Sequence, residues 1–435
     1  MRELASQTGW HPCPPGKLKV QATAAFFVIY LAGALYVILF LIVCYQVPKV
    51  ALMLIVALAP FNKDLSTGGP LHFSLGEINL LLTTVVFLLR GRRILLGPLA
   101  LPVAAYMGTG ILSSALSWRD TSLICLVQMT IYLVLAVVVF TSFVSDARDF
   151  RLALKALIVT GLVFACAAIQ AGGFGYIFGL HKNAVGASLA CCVIVAAELW
   201  FSSTNARSRT ILACCLLVLV AGLFMSLSRG AWLCAAFGLF ILLALRREFG
   251  LLLRLCLVMI PVVGLCWVFL PDKGKNYTTD YSMENYNIKA RFESIAISRA
   301  NFNKDRLLGV GVGFRKEYDA TNVVWLTLAE TGVLGLIALL WLHFALLRMV
   351  WKTQRHLSHK DPLFSAAALG AALVSGKFIH GLVDHYWSRG SLLITWAAAG
   401  MATHAYFVVR RRLSRLRSFR ATEEIEGGRT LTQSP

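Results

Sequence analysis

Residues 122–144 read Ser-Leu-Ile-Cys-Leu-Val-Gln-Met-Thr-Ile-Tyr-Leu-Val-Leu-Ala-Val-Val-Val-Phe-Thr-Ser-Phe-Val. A helix needs roughly 20 mostly apolar residues to cross a hydrocarbon core about 30 Å thick, and this uncharged stretch is long enough. Twelve further apolar runs lie around it, near 22–44, 46–60, 74–90, 94–116, 152–171, 184–202, 210–227, 231–245, 250–270, 323–347, 363–386 and 390–409. Of the 435 residues, 58% are apolar and 14% charged, too few charges to coat several soluble domains. In lipid the backbone of such runs is satisfied most economically as helix. An all-α, polytopic integral membrane protein follows.

Lys and Arg number 41 against 21 Asp and Glu, a balance that in a soluble protein points to nucleic acid. No basic aromatic surface or reader motif accompanies the charge, so a nucleic-acid partner is not expected. Instead the cations gather between apolar runs: Arg90, Arg92 and Arg93; Arg148, Arg151 and Lys155; Arg207 and Arg209; Arg246 and Arg247; Arg348, Lys352, Arg355 and Lys360; Arg410–Arg412 with Arg415, Arg417 and Arg420. With the carboxyl-terminal tail in the cytoplasm, strict alternation back to residue 74 puts all of them on that one side. Thirteen crossings would export the amino terminus, against Arg2, Lys17 and Lys19. The short run at 46–60, bounded by Pro48, Lys49 and Pro60, therefore reads as re-entrant or interfacial, leaving about 12 transmembrane helices.

The organisation expected is a cytoplasmic leader at 1–21, transmembrane helices over 22–270, a large outer loop at 271–322, three last helices over 323–409 and a basic cytoplasmic tail at 410–435, disordered beyond Ala421. The outer loop carries seven acidic and nine basic residues, and Ile288, Phe292, Ile295 and Ala296 recur there at helical spacing. They predict an amphipathic helix from about 287 to 301, lying on the membrane or roofing a cavity. Ten of the eleven cysteines fall in apolar runs and read as small hydrophobes, without metal-ligand spacing.

Several outer groups could carry chemistry. Arg229, in Ser228-Arg229-Gly230, sits where lipid meets water, either as a snorkelling anchor or as a functional cation. Arg291, beside Glu293, reads alone as half of an exposed ion pair. His181-Lys182-Asn183 precedes a helix that Asn183 could cap. Gly309-Val310-Gly311-Val312-Gly313 lacks the following Lys-Ser/Thr of a phosphate loop and reads as flexible turns. Lys377, His380, Asp384, His385 and Arg389 fall in one helix and its exit. His380 and Asp384 there share a face, as do Asp384 and Ser388. Ionisable groups in a bilayer segment either line a wet cavity or pair with one another.

Asn183 with Gly186, Ser228-Arg229-Gly230, Ala290-Arg291-Phe292, Gly309-Val310-Gly311-Val312-Gly313-Phe314, Asn322 before Ala329-Glu330-Thr331-Gly332-Val333-Leu334-Gly335, and Gly381 with Asp384 and Arg389 occur in this order. Together they resemble the bacterial O-antigen ligase and polymerase superfamily over about residues 180–400. The resemblance implies a glycosyltransferase of the inner membrane, with the large loop periplasmic. Such an enzyme transfers a glycan from a polyprenyl-pyrophosphate carrier to a lipid-core or other glycan acceptor, without metal, nucleotide or other cofactor.

By that resemblance Arg229 and Arg291 match the arginines that hold the departing pyrophosphate. Arg389 and Lys182 are secondary candidates, with Asn183 and Asp384 as further substrate-binding residues. Family ligases commonly carry His-Asn just ahead of the Glu-x-Gly segment, whereas this chain has Thr321-Asn322. Either Asn322 positions the acceptor, His380 or His385 supplies the missing base, or the acceptor differs or activity is lost. A repeat-unit polymerase is the nearest alternative. A transporter would use Arg229, Lys377, His380 and Asp384 to bind an anion near mid-membrane, and a non-catalytic scaffold is the third reading.

Overall fold

Backbone amides have no partner in lipid, so the apolar runs fold as helices. The computed structural model describes residues 15–63, 73–144, 146–172, 176–270, 272–280, 282, 285–318 and 320–431. The chain is an all-α polytopic membrane protein, with no strand among the described residues. In order the helices are α1 (Pro15–Gln46), α2 (Pro48–Leu58), α3 (Leu75–Leu89), α4 (Ala100–Leu116), α5 (Ser122–Met129) and α6 (Val137–Ser142), the last two joined by a π-helical turn at Thr130–Ala136. They continue with α7 (Ala147–Gln170), α8 (Lys182–Ser202), α9 (Ala206–Met225), α10 (Arg229–Arg246), α11 (Phe249–Phe269), α12 (Asp272–Thr279) and α13 (Tyr286–Phe302). The last four are α14 (Phe314–Glu317), α15 (Val323–Gln354), α16 (Pro362–Gly381) and α17 (Arg389–Leu431).

Among the described residues, nine helical stretches are long and apolar enough to cross a membrane. The apolar stretches Leu31–Gln46, Pro48–Leu58 and Leu75–Leu89 are shorter. Helix α2 has 11 residues, about 16 Å of rise and roughly half of a hydrocarbon core. It lies against α7 and buries Ala51, Leu52, Ile55 and Val56.

The centre of the bundle is α8, buried at every position from Val185 to Leu199, with α10, α16 and α17 around it. Lipid supplies no hydrophobic drive between helices, so contact depends on close approach over small residues. A Cβ at Gly370 of α16 would lie 2.6 Å from the Ala402 methyl carbon of α17, and one at Gly238 of α10 would lie 2.3 Å from Ile194 of α8. On the outside of the bundle, Ile337, Trp341, Phe344 and Trp351 of α15 form an exposed stripe at helical spacing. Exposed apolar residues at that spacing are a lipid-facing surface.

The helix expected near 287–301 spans Tyr286–Phe302; Ile288 lines a cavity, Ser294, Ser298 and Asn301 are buried, with the Thr321 amide donating to Ser294 Oγ at 3.1 Å, and Phe292 is 57% exposed. Two expectations are corrected. The tail beyond Ala421 is helical to Leu431; the three Glu of residues 421–426 favour continuation, while Gly427 and Gly428 do not account for its further extent. The helix running to residue 386 by its apolar pattern ends at Gly381, where a Cβ would meet the Tyr386 ring at 2.7 Å. The leader through residue 14 and residues 64–72, between α2 and α3, lie outside the described residues.

Candidate functional site

The early end of α16 creates the site. Residues 382–388 turn back over the helix terminus, so Asp384 and Ser388 reach His380 and Lys377 through this turn and not along a helical face. Lys377 is 1% exposed and forms the hub. Its Nζ donates to Ser388 Oγ at 2.7 Å, to the His385 carbonyl at 3.1 Å and to Ser391 Oγ at 3.1 Å, and lies 3.3 Å from His380 Nδ1. A buried ammonium is tolerable because oxygens and a ring nitrogen surround it. The Asp384 carboxylate is anchored through Oδ1, which accepts the His385 amide at 2.7 Å. Its Oδ2 makes no hydrogen bond among the described residues and lies 3.8 Å from Arg291 Nη2.

Above this turn lies a cavity of about 500 Å³, lined among others by His181, Asn183, Arg291, His380, Asp384 and His385. Its walls come from the start of α8, from α13, from Thr321 just ahead of the α15 cap, and from the end of α16 and the turn that follows it. A second cavity of about 430 Å³ is lined by Arg229, Trp232, Leu233, Ala236, Ile288 and Arg291, with Gly230 and Val383 completing it. Arg291 therefore faces a polar chamber and an apolar groove at once. Arg229 opens α10, and its Nη1 donates to the Asp280 carbonyl at 3.4 Å. The Ser282 hydroxyl and amide, 2.7 and 2.9 Å away, hold the Asp280 carboxyl below the usual carboxylate range.

The remaining sequence candidates divide. His181, not Asn183, occupies the N-cap of α8, its Nδ1 accepting the Asn183 amide at 3.4 Å, and this leaves Asn183 in the cavity wall. Lys182 and Arg389 are the first residues of α8 and α17 and line neither cavity. Asn322 caps α15, its Oδ1 accepting the Val324 and Trp325 amides at 3.0 and 3.1 Å, while Nδ2 donates to the Leu382 carbonyl at 2.9 Å. It ties the cap of α15 to the turn after α16. Thr321 and Ser388 line the chamber without having been singled out as site residues; hydroxyl residues beside Asn322 and Arg389 carry no distinguishing sequence signal.

The glycine-rich run is not a set of flexible turns. Its φ angles are +71°, +91° and +121° at Gly309, Gly311 and Gly313, and the backbone passes so close to α15 and to Ser117 that a Cβ at Gly311 would lie 2.0 Å from the Ser117 carbonyl oxygen. Glu330 Oε1 accepts the amides of Gly313 and Arg315 at 3.1 and 3.0 Å, and Ser113 Oγ accepts the Gly311 amide at 3.1 Å. The loop is a buried bolt between α4 and α15. Among the described residues no three His, Cys, Asp or Glu side chains gather as a metal site. In comparison with known proteins, no family model matches the chain and no curated protein matches it.

Proposed function

We propose that this chain is a membrane glycan transferase of the O-antigen ligase type. It moves a glycan from a polyprenyl-pyrophosphate carrier to a lipid-core or other surface acceptor on the periplasmic side of the bacterial inner membrane. The observation that carries the reading is the placement of Arg291 at the junction of an apolar groove shared with Arg229 and a polar chamber holding His380, Asp384 and His385. The donor has the same three parts: an isoprenoid chain, a dianionic bridge and a hydroxylated glycan. Guanidinium forks bind phosphate oxygens strongly at low dielectric, and the stabilisation grows as charge collects on the leaving group.

In the reaction the acceptor oxygen bonds to the anomeric carbon, the bond from that carbon to the pyrophosphate oxygen breaks, and its electron pair departs with the pyrophosphate. The acceptor proton passes to a lone pair of the chamber. At the position where the resembled ligases carry histidine stands Thr321, which lines the chamber but whose hydroxyl is no base near neutral pH.

The test supplies purified protein with polyprenyl-pyrophosphate oligosaccharide, with and without a lipid acceptor, and follows carrier release and glycan length. Acceptor-dependent release without chain growth is expected. Growth of the donor glycan alone would replace the ligase reading with the repeat-unit polymerase, and silence from folded protein across several acceptors would remove the transferase reading.

A further inference from the structure

We infer that Lys377 fixes the tautomer of His380, so that His380 enters the chamber as a hydrogen-bond donor to an anionic oxygen, and that the proton-accepting lone pair of the site belongs to Asp384. The ligand assigned here, a pyrophosphate oxygen, rests on the transferase reading; the tautomer rests on geometry alone.

An ammonium has three protons and no lone pair, so every close partner of Lys377 Nζ must accept. Ser388 Oγ, the His385 carbonyl and Ser391 Oγ, the three nearest, take its three protons, and the fourth neighbour, His380 Nδ1 at 3.3 Å, faces the same positive charge, which repels an N–H and attracts a lone pair. In a neutral imidazole the single proton is then on Nε2. The ring orientation that places Nδ1 there is itself constrained. The Cδ2 edge packs on α10, 3.3 Å from the position of a Cβ at Gly230. Rotating the ring by half a turn would set a C–H against the ammonium and the nitrogen against that apolar contact.

His380 is 1% exposed and lines the chamber, and its Nε2 makes no hydrogen bond among the described residues. A buried N–H in a polar chamber calls for an acceptor. Across the chamber Arg291 directs a guanidinium into the same space, so an anionic oxygen between them receives charge-assisted bonds from both. His380 is then a binding residue and Lys377 a positioning residue that acts through it. Asp384 keeps Oδ1 on the His385 amide and leaves Oδ2 without a hydrogen bond, so the acceptor proton moves to Oδ2 as the new glycosidic bond forms and the pyrophosphate departs.

Two measurements on the full-length protein in detergent decide the matter. Nitrogen NMR of histidine-labelled protein, with His380→Gln identifying the His380 signals, is expected to show protonation at Nε2; protonation at Nδ1 would overturn the proposal. Binding of inorganic pyrophosphate is then compared across variants. His380→Gln retains a side-chain N–H and is expected to hold affinity within about threefold, whereas His380→Ala loses about tenfold or more, the size of a hydrogen bond to a charged group. Equal losses in both would overturn the donor role. Lys377→Arg should keep Nε2 protonation and Lys377→Met should release it; an unchanged tautomer in folded Lys377→Met would remove Lys377 from the argument. Wild-type protein that shows the Nε2 tautomer yet binds no pyrophosphate would sink the transferase reading and the assigned ligand, while upholding the tautomer.

Discussion

Arg315 places its Nη2 2.7 Å from Glu330 Oε2, with side chains 6% and 2% exposed, and the same carboxylate accepts two backbone amides of the glycine-rich loop. Arg315 also lies over the Trp387 ring at 4.1 Å, so the pair joins that loop to the turn that carries the site. Removing one member of a buried, hydrogen-bonded pair costs about 3–5 kcal/mol, because the other charge stays buried. Glu330→Gln should therefore lower the thermal midpoint sharply, while Glu330→Gln with Arg315→Met should lose less than Glu330→Gln alone. Midpoints in detergent for the single and double variants check this; a double variant worse than the single would contradict a paired role.

Arg291 is the cation common to the apolar groove and the polar chamber. If its guanidinium stabilises the departing pyrophosphate, Arg291→Ala should reduce transfer by about 10²–10³-fold, as loss of one preorganised donor does. Membrane insertion and monodispersity should be unchanged, since its side chain is 27% exposed. Arg291→Lys, a point charge without the planar fork, should recover only part of the rate. Full activity in Arg291→Ala would take the residue out of the mechanism.

The groove between Arg229 and Arg291 makes a separate demand. Ala236 is an exposed wall residue of α10, so Ala236→Phe fills space without disturbing the core. The expected result is a raised KM for donors on a full-length polyprenyl carrier and little change for donors on a short isoprenoid. Equal effects on both would place the carrier chain elsewhere.

Asn322 distinguishes scaffold from site. Its amide oxygen caps α15 and its nitrogen holds the Leu382 carbonyl, so Asn322→Asp keeps the cap and breaks the bridge. Loss of a cap costs roughly 1 kcal/mol, and Asn322→Ala should lower the thermal midpoint by that order. Activity per folded molecule should fall far less than in Arg291→Ala. An Asn322→Ala protein of full stability and no transfer would return the residue to the reaction.

The helical, membrane-spanning class was legible because lipid imposes a simple rule: length and lack of charge mark a helix, as at 122–144. The clustering of Lys377, His380, Asp384 and His385 was legible as well, since ionisable groups in an apolar run need partners. What could not be read was the end of α16. The apolar pattern carries the helix to 386, but it ends at Gly381, beside the Tyr386 ring, and the turn that follows brings the His385 carbonyl and Ser388 to Lys377. Nor could the glycine run be read, because its stiffness comes from Glu330 and Ser113, far away in sequence. The polar inner face of α13 was hidden for a like reason: Ser294 accepts the Thr321 amide, 27 residues further on.

Asp384 offers the sharpest separation of roles. Its Oδ1 holds the His385 amide and its Oδ2 faces the chamber beside Arg291. Asp384→Asn preserves the shape and, with its amide oxygen at Oδ1, the bond that shapes the turn, while removing the charge and the basic lone pair. A residue that takes the acceptor's proton should on this change lose about 10²–10⁴-fold in kcat, the usual contribution of a positioned base. Pyrophosphate affinity should hold or rise, because an anion leaves the chamber and frees Arg291 for the ligand. A merely structural Asp384 would instead lower stability and affinity together and leave kcat per folded molecule nearly unchanged. Stability, pyrophosphate affinity and kcat, measured on the one variant, therefore decide between the two.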